Sequence, residues 1–279
     1  MNYTKRTKLA KFFIYVFLVL LLLMCTVPIW ILLVNATRST SEIQQGISLI
    51  PSRNLVINWN NLTGRGFDIM QGFYNSMFRS VGVTVLSVYF SMLFAYAVHV
   101  YDFVGKKFLY NFVLILVLVP MQVAIIGFYQ YMAKLNLLNS YIPLIVPAIA
   151  SPASIFFARQ YLQGVVSKEL IEAARIDGCS EISIFHKIML PIAKPGAVTM
   201  GIFAFVASWN EFFTPFILLS KIKLYTLPML VQTLRGDTYR TEYGSIYLGL
   251  AVSIIPILVV YAIFSRHIVS GISMGSVKE

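Results

Sequence analysis

Long apolar runs separated by short polar segments dominate the pattern of hydrophobic and polar positions along this chain. A helix needs about 20 predominantly apolar residues to cross the hydrocarbon core of a bilayer. Six runs reach that length, and they cover residues 12–34, 73–99, 108–131, 141–163, 196–219 and 243–265. Several prolines lie in or beside these runs, where neighbouring helices can satisfy the backbone groups that a proline frees. The pattern therefore predicts an all-α, polytopic integral membrane protein with six transmembrane helices.

A polar segment, residues 167–191, interrupts this pattern between the fourth and fifth runs. Ser167 and Ser180 are each placed to cap a short helix. Gly178 lies between them, where the end of a helix favours a residue that adopts a positive φ at no steric cost. The segment is therefore predicted to form a helix, a glycine turn and a second helix at the membrane surface. An amphipathic loop clamped to the bilayer is the alternative interpretation.

Both predicted helices of this segment have a distinctive face. The first has small residues at the centre of a face that is formed by Leu170, Ala173, Ala174 and Asp177. Small residues allow another surface to approach the helix backbone closely. The second carries an apolar stripe that is formed by Ile182, Phe185, Ile188 and Met189. We expect Pro191 to help end the second helix.

Composition places the chain among membrane proteins and limits its partners. Of its 279 residues, 58% are hydrophobic and 12% are charged, with a mean hydropathy of +0.77, which is too apolar for a soluble domain. The net charge of +11 indicates contact with anionic lipid headgroups rather than nucleic acid. Cys25 and Cys179 lie far apart in the sequence, and neither is predicted to form a disulfide or a metal site.

The distribution of Lys and Arg predicts the orientation of the chain. The first run follows a basic start but is longer than the core of a signal peptide, and no cleavage pattern follows closely, so we expect a retained helix. Basic residues are more numerous in the segments on the side of the N-terminus than on the opposite side. This bias predicts that both termini are cytoplasmic. It also places segment 167–191 in the cytoplasm.

The residues of this segment resemble a known signature. Glu172-Ala173-Ala174, followed at fixed spacing by Gly178, Ile188 and Leu190-Pro191, resembles the signature loop of the permease subunits of binding-protein-dependent ABC importers. The resemblance implies that the segment is a coupling loop whose helix docks in a groove of a cytoplasmic ATPase. The residues it assigns to this role are Glu172, Ala173, Ala174, Asp177, Gly178, Ile188, Leu190 and Pro191.

Other stretches narrow the resemblance to the maltose-type carbohydrate group. Tyr74-Asn75-Ser76 and Trp209-Asn210-Glu211-Phe212 are similar to stretches of sugar permeases. The tail is similar to the end of maltose-type permeases, which implies that it inserts at the interface of two ATPase subunits. The tail residues concerned are Ser270, Gly271, Gly275 and Lys278. Its glycines and serines argue against a long helix, and a frayed terminus is the alternative.

Glu211 is an ionisable residue that is predicted to lie inside the fifth run. If the helix ends near Leu219, Glu211 lies roughly 12 Å below its outer end. A charge at that depth should face the interior of the bundle or a water-filled cavity. Asn210 and Glu211 are therefore candidates for lining a translocation path, and a structural hydrogen bond between helices is the alternative. For the last outer loop, residues 220–242, the resemblance to maltose-type importers implies that it reaches toward the sugar site of the docked binding protein, and a plain lid is the alternative.

The resemblance implies a fold, a set of domains and a set of partners. The fold is that of type 1 ABC importer permeases. The domains are an N-terminal helix with an extracytoplasmic loop (1–71), a permease core (72–266) and a cytoplasmic tail (267–279). The implied partners are a second, related permease in a heterodimer, two ATP-binding subunits, an extracytoplasmic solute-binding protein and the sugar. The implied location is the cell membrane of a prokaryote, and the implied mechanism is alternating access driven by ATP.

Other function classes lack the residues they need. No Walker-type Gly-x4-Gly-Lys-Ser/Thr occurs, so ATP and Mg are expected on the partner ATPase and no cofactor on this chain. His99, His186 and His267 are isolated, and no nucleophile elbow is present, so an enzyme is not expected. A secondary transporter would show inverted repeats and several intramembrane charges, and a channel would not need the coupling loop. The open alternative is the same machine for a polyol, a glycerol phosphate or a glycan fragment.

Overall fold

The computed structural model describes the backbone of residues 3–64, 68–233 and 242–276, and side chains over 11–64, 68–120, 123–233 and 242–264. Over these residues the secondary structure is helical, as predicted, and no strand is present. The helices are α1 (Tyr3–Asn35), α2 (Thr40–Gln44), α3 (Leu55–Thr63), α4 (Ile69–Val100), α5 (Lys106–Leu118), α6 (Met121–Lys134), α7 (Ile142–Ile145), α8 (Pro152–Val165), α9 (Lys168–Ile176), α10 (Glu181–Ile184), α11 (Leu190–Asn210), α12 (Phe213–Leu218), α13 (Leu227–Thr233) and α14 (Tyr243–Ser276). Single turns of 3₁₀ helix, Val146–Ala150 and Ile222–Leu224, and one π-helical turn, Phe185–Met189, complete the series.

Five stretches of the described helices are long and apolar enough to cross a membrane. They are Lys11–Asn35, Ile69–Val100, Ile142–Val165, Glu181–Asn210 and Tyr243–Phe264. A sixth stretch is broken, because α5 and α6 meet at a bend of 105° around Pro120. The proline cannot donate the backbone hydrogen bond that would continue α5. By length and composition the described chain thus has five spans, or six if the bent pair counts as one.

The fifth span differs from the predicted run, residues 196–219. It begins at Glu181, passes through the π-helical turn and ends at Asn210, and α12 follows after a break. The expectation that Pro191 ends the second loop helix is wrong. In the π-helical turn the Leu190 N–H donates to the Phe185 carbonyl, and Pro191 then falls in the first turn of α11, where a missing N–H is tolerated.

The C-terminal stretch is also more helical than predicted. The glycines and serines of the tail were expected to prevent a long helix, but α14 continues to Ser276, so that expectation is wrong. A glycine in a helix interior costs about 1 kcal/mol relative to alanine. Extending an existing helix requires no new nucleus, so such a cost does not stop a helix that is already formed.

Segment 35–72, predicted as an outer loop, contains two short helices. Ser39 caps α2 in a capping box, because its hydroxyl accepts from the Glu42 N–H and the Glu42 carboxylate accepts from the Ser39 N–H. Asn58 in α3 is buried and donates to the carbonyls of Ala36 and Arg38, both at 2.9 Å. The segment is therefore held by its own polar network.

The chain divides into two compact units, residues 1–69 with 230–254 and residues 70–229 with 255–279. In the second unit, five helices pack around one apolar core: α4, α8, α9, α10 and α11. The core is formed by Met92, Ala95, Tyr96, Ala158, Tyr161, Leu162, Val166, Ile171, Ala174, Ile184, Phe185, Met189, Ala193 and Met200. A Cβ at Gly196 would collide with the ring of Tyr161. This glycine therefore allows α8 and α11 to approach closely, as small residues do between membrane helices.

Candidate functional site

The polar segment between the fourth and fifth spans forms the predicted helix, glycine turn and helix. The Ser167 hydroxyl accepts the Leu170 N–H at 3.3 Å and caps α9. The Ser180 hydroxyl accepts the Ser183 N–H at 3.4 Å and caps α10. Gly178 connects the two helices with a φ of 79°. The predicted caps and the predicted glycine turn are thus confirmed.

One face of this segment packs on the protein. Ile171 and Ala174 of α9 are buried in the core, together with Ile184 and Phe185. Tyr96 of α4 lies against Phe185, with ring centroids 5.6 Å apart in an edge-to-face arrangement. These contacts join the loop to α4.

The opposite face of the segment is exposed. Glu172, Ala173, Asp177 and Gly178 are all exposed, and nothing lies within 4 Å of where a Cβ of Gly178 would be. The four residues that were predicted to share one face of α9 therefore differ in burial. Ala174 is buried, whereas Leu170, Ala173 and Asp177 are exposed.

Two isoleucines on this exposed side extend into solvent. Ile176 is 86% exposed and Ile182 is 75% exposed. Of the predicted apolar stripe, Phe185, Ile188 and Met189 pack on the core, whereas Ile182 does not, because the packing of α10 on the core begins at Ile184. Contiguous exposed apolar patches with a polar rim mark contact surfaces, and these two side chains are candidates for such a patch.

The last residues of the signature lie where the loop joins the fifth span. Ile188 and Leu190 are partly buried and pack against the core. Pro191 is exposed in the first turn of α11. The signature thus divides by role, with its early residues on the exposed face and its late residues at the attachment to the membrane helix.

A charged cluster that sequence reasoning missed links the two loop helices to α4. The Arg175 Nε donates to Glu181 Oε1 at 2.6 Å, and the Tyr96 hydroxyl donates to Glu181 Oε2 at 2.9 Å. The guanidinium of Arg175 also lies 5.3 Å from the centroid of the Tyr101 ring. The Glu181 carboxylate raises the pKa of Arg175 by accepting its hydrogen bond. Burial is the main cause that raises the pKa of the Tyr101 hydroxyl.

A second acid lies just beyond this end of α4. Asp102 accepts a hydrogen bond from Lys106 Nζ at 2.8 Å, and Lys168 Nζ lies 3.7 Å away. Its side chain is 79% exposed. The hydrogen bond and the charge of Lys106 lower the pKa of the Asp102 carboxyl.

Glu211 does not lie inside a continuous membrane helix, contrary to the prediction. The helix α11 ends at Asn210, and the backbone of Glu211 is extended. Asn210 is exposed and Glu211 is partly buried. The break arises where polar groups can satisfy the backbone that it frees.

The partner of Glu211 is Arg79 of α4, which sequence reasoning had not paired with it. Arg79 Nη2 donates to Glu211 Oε2 at 2.5 Å, and Arg79 Nη1 donates to the Ser208 carbonyl at 2.7 Å and the Glu211 carbonyl at 3.2 Å. Glu211 Oε1 accepts the Thr214 N–H at 2.7 Å. The pair therefore satisfies both sides of the helix break, which favours the structural alternative for Glu211.

The tail residues are described only in part. Ser270, Gly271 and Gly275 lie on the backbone of α14, their side-chain environment is outside the described residues, and Lys278 lies outside them altogether. Over the residues that the structure does describe, no group of three or more His, Cys, Asp or Glu is arranged to hold a metal ion.

Apolar helices of spanning length with an exposed polar loop between two of them define a multi-pass membrane protein. The family of binding-protein-dependent transport system inner membrane components matches residues 87–274. The chain belongs to this family. The match includes the whole of segment 167–191, and the resemblance seen in the sequence is thereby confirmed. The family is a transport permease component rather than a catalytic one.

Two relatives and one solved structure agree with this family. The chain is 37% identical over 250 residues to the arabinooligosaccharides transport system permease protein AraQ of Halalkalibacterium halodurans, which covers 89% of each chain. It is 32% identical over 265 residues to AraQ of Bacillus subtilis, covering 94% of each. A chain of a bacterial ABC transporter involved in the import of the acidic polysaccharide alginate has the same fold, with a TM-score of 0.82, 21% identity, and coverage of 95% of this chain and 99% of that chain.

Proposed function

We propose that this chain is the membrane-spanning subunit of an ATP-driven importer that takes up an oligosaccharide. It works with a second, related permease, two ATP-binding subunits and an extracytoplasmic solute-binding protein. The observation that carries the proposal is the coupling loop, residues 167–191, which has one face packed on the membrane helices and one apolar-bearing face free. The solute class rests on the two relatives that transport arabinooligosaccharides.

The free face of the coupling loop is the docking surface for the ATPase. It presents Ile176 and Ile182 to solvent beside the exposed Glu172, Ala173 and Gly178. The small side chains permit close approach of a groove. The buried face then transmits displacement to the bundle, because Ile171 and Ala174 move with the core that they pack in.

Both termini of the chain are cytoplasmic in this assignment. The bias of Lys and Arg supports it, and docking requires the coupling loop to face the same side as the ATPase. The permease core, residues 72–266, carries the transport path, and the tail, 267–279, reaches the ATPase interface. ATP and Mg bind to the partner ATPase.

Asn210 and Glu211 lie at the helix break along the path of the solute. Asn210 is exposed, and the Glu211 side chain is 31% exposed even while it pairs with Arg79. A broken span supplies polar groups within a membrane bundle, which is where a polar solute needs them. The pair with Arg79 holds that break in one conformation.

Transport follows a two-state cycle that ATP biases. ATP closes the two ATPase subunits, the coupling loop moves with its groove, and the bundle opens toward the docked binding protein. Hydrolysis returns the bundle to the inward-facing state. ATP can drive this equilibrium only through differential contacts in the two states, and the coupling loop is where this chain makes them.

Co-purification with a Gly178→Asp variant tests the proposal. Gly178 has a φ of 79° with open space around it, and Asp tolerates this backbone conformation better than most residues. The variant should therefore reach the membrane and retain its fold, but lose the bound ATPase and the uptake of arabino-oligosaccharide. Gly178→Asn is the matched control, because it adds a side chain of nearly the same shape without the charge. Wild-type chain that retains no ATP-binding subunit, or a Gly178→Asp variant with normal uptake, would contradict the assignment.

The solute is tested in the same membranes. Uptake of labelled arabino-oligosaccharides is compared with uptake of a polyol and of glycerol phosphate, each with its binding protein added. Preference for the oligosaccharide is expected. Uptake of glycerol phosphate alone would support the assignment as an importer but contradict the assignment of an oligosaccharide as its solute.

A further inference from the structure

We infer that Glu181 is a positioning residue that ties the coupling loop to α4, so that coupling of ATP hydrolysis to transport depends on it. The inference rests on the function proposed above and deepens it. Glu181 does not belong to the exposed docking face. It acts through Arg175 on one side and Tyr96 on the other.

The carboxylate of Glu181 is engaged by both partners at once, and the Tyr101 hydroxyl also interacts with it. Each of its oxygens accepts one hydrogen bond, from Arg175 Nε at 2.6 Å and from the Tyr96 hydroxyl at 2.9 Å. Arg175 belongs to α9, Glu181 begins α10, and Tyr96 lies near the end of α4. One side chain therefore joins three helices.

Apolar packing makes this joint stiff on the side of α4. Tyr96 is 4% exposed, and its ring contacts Phe185 at 5.6 Å and Tyr101 at 6.2 Å between centroids. Its hydroxyl is thus held at a fixed point of α4. A displacement of α9 that pulls on Arg175 is passed through Glu181 to this point.

The same helix carries another charged contact, at Arg79. Arg79 of α4 holds the break between α11 and α12 through Ser208 and Glu211. Tyr96 and Arg79 are 17 positions apart, which is about 26 Å along a helix. The helix α4 therefore connects the coupling loop with the helix break, and a physical route exists from one to the other.

The contacts of Glu181 with Arg175 and Tyr96 are better suited to transmitting a displacement than to stabilising the fold. The side chains of Arg175 and Glu181 are 35% and 42% exposed, and exposed ion pairs contribute little to stability. Removing the carboxylate should consequently change coupling more than it changes the amount of folded protein. If Glu181 had a purely structural role, removing its carboxylate would lower the amount of folded protein more than it lowers coupling.

The test uses the complete importer reconstituted in vesicles, with its ATPase and its loaded binding protein. Glu181→Gln should keep the bound ATPase and its basal hydrolysis, whereas stimulation by the binding protein and solute taken up per ATP should fall about fivefold or more, the usual scale of a coupling energy. Tyr96→Phe keeps the ring contacts and should show a loss in the same direction. Glu181→Asp should recover part of the coupling.

Glu169→Gln is the matched control, because it removes an exposed carboxylate from the first turn of α9 that no described contact links to α4. It should leave coupling unchanged. Wild-type stimulation in Glu181→Gln overturns the inference and leaves the proposed function standing. Loss of the ATPase itself from Glu181→Gln also overturns it, since Glu181 would then be a docking residue. A wild-type chain that binds no ATPase overturns both.

Discussion

Two ion pairs at opposite ends of α4 have the same chemistry and different surroundings. Arg79 Nη2 and Glu211 Oε2 are 2.5 Å apart, and the two side chains are 7% and 31% exposed. Arg175 Nε and Glu181 Oε1 are 2.6 Å apart, and the two side chains are 35% and 42% exposed. The first pair joins α4 to the break after α11, and the second joins α9 to α10, so their distances alone do not distinguish them.

Their surroundings decide what each pair can do. Removing one partner of a buried pair leaves a charge that water cannot solvate, whereas an exposed charge is solvated and screened. The buried pair is therefore suited to hold the helix break at Glu211 in place. The exposed pair can be stretched at small cost, which suits a joint beside a moving surface.

Replacing Arg79 by Met should have the largest effect on stability. Glu211 would lose its counter-charge, and the Ser208 and Glu211 carbonyls would lose their donor. We expect a loss of about 2–3 kcal/mol, below the roughly 3–5 kcal/mol of fully buried pairs because Glu211 is partly exposed. Thermal unfolding of the detergent-solubilised protein, followed by circular dichroism, measures it.

The matched control for this prediction removes both charges. Arg79→Met with Glu211→Gln leaves no unpaired ion and keeps an acceptor for the Thr214 N–H. It should recover much of the loss, because replacing both members of a buried pair is often close to neutral. A double variant that is less stable than the single variant would contradict this account of the pair.

Replacing Glu181 by Gln should have a much smaller effect on stability. The pair with Arg175 is exposed, and such pairs contribute about 0–1 kcal/mol. The same unfolding measurement should show a small difference that shrinks further as salt is raised. A loss as large as that of Arg79→Met would remove the distinction between the two pairs.

Acid pH should have the smallest effect, through Asp102. Its pKa is lowered from the ordinary value of 3.8 by Lys106. A carboxyl with a lowered folded-state pKa contributes stability that is present above the unfolded pKa and is lost as pH falls through the folded pKa. The difference in melting temperature between wild type and Asp102→Asn should therefore be present near neutral pH, begin to shrink near the unfolded pKa of about 4, and vanish once the pH is below the lowered pKa of folded Asp102. A difference that persists at lower pH would contradict this attribution.

The sequence predicted what is local and missed what depends on the fold. Ser167, Gly178 and Ser180 specify their turn and caps through neighbours three residues away, and the apolar runs specify the spans by length. The contact of Arg79 with Glu211 crosses 132 positions, and that of Tyr96 with Glu181 crosses 85. No periodic pattern encodes such contacts.

Helix ends were the least predictable part of the fold. Pro191 was expected to end a helix, but a π-helical turn places it in the first turn of α11. The break after Asn210 precedes Pro215, which cannot donate a helical hydrogen bond to the Glu211 carbonyl four residues earlier. Its polar groups are satisfied by Arg79, which comes from another helix. A local proline and a tertiary contact thus act together at this helix end.

Cysteine labelling tests the docking surface most directly, because Cys179 is exposed next to Gly178. Cys25 is exposed as well and is replaced by Ser. A membrane-impermeant maleimide is applied to inside-out and right-side-out vesicles, with and without the ATP-binding subunits. We predict that Cys179 reacts only from the cytoplasmic side and is protected when the ATPase is bound. Equal labelling with and without the ATPase, or labelling from the outer side, would contradict the coupling role of the loop.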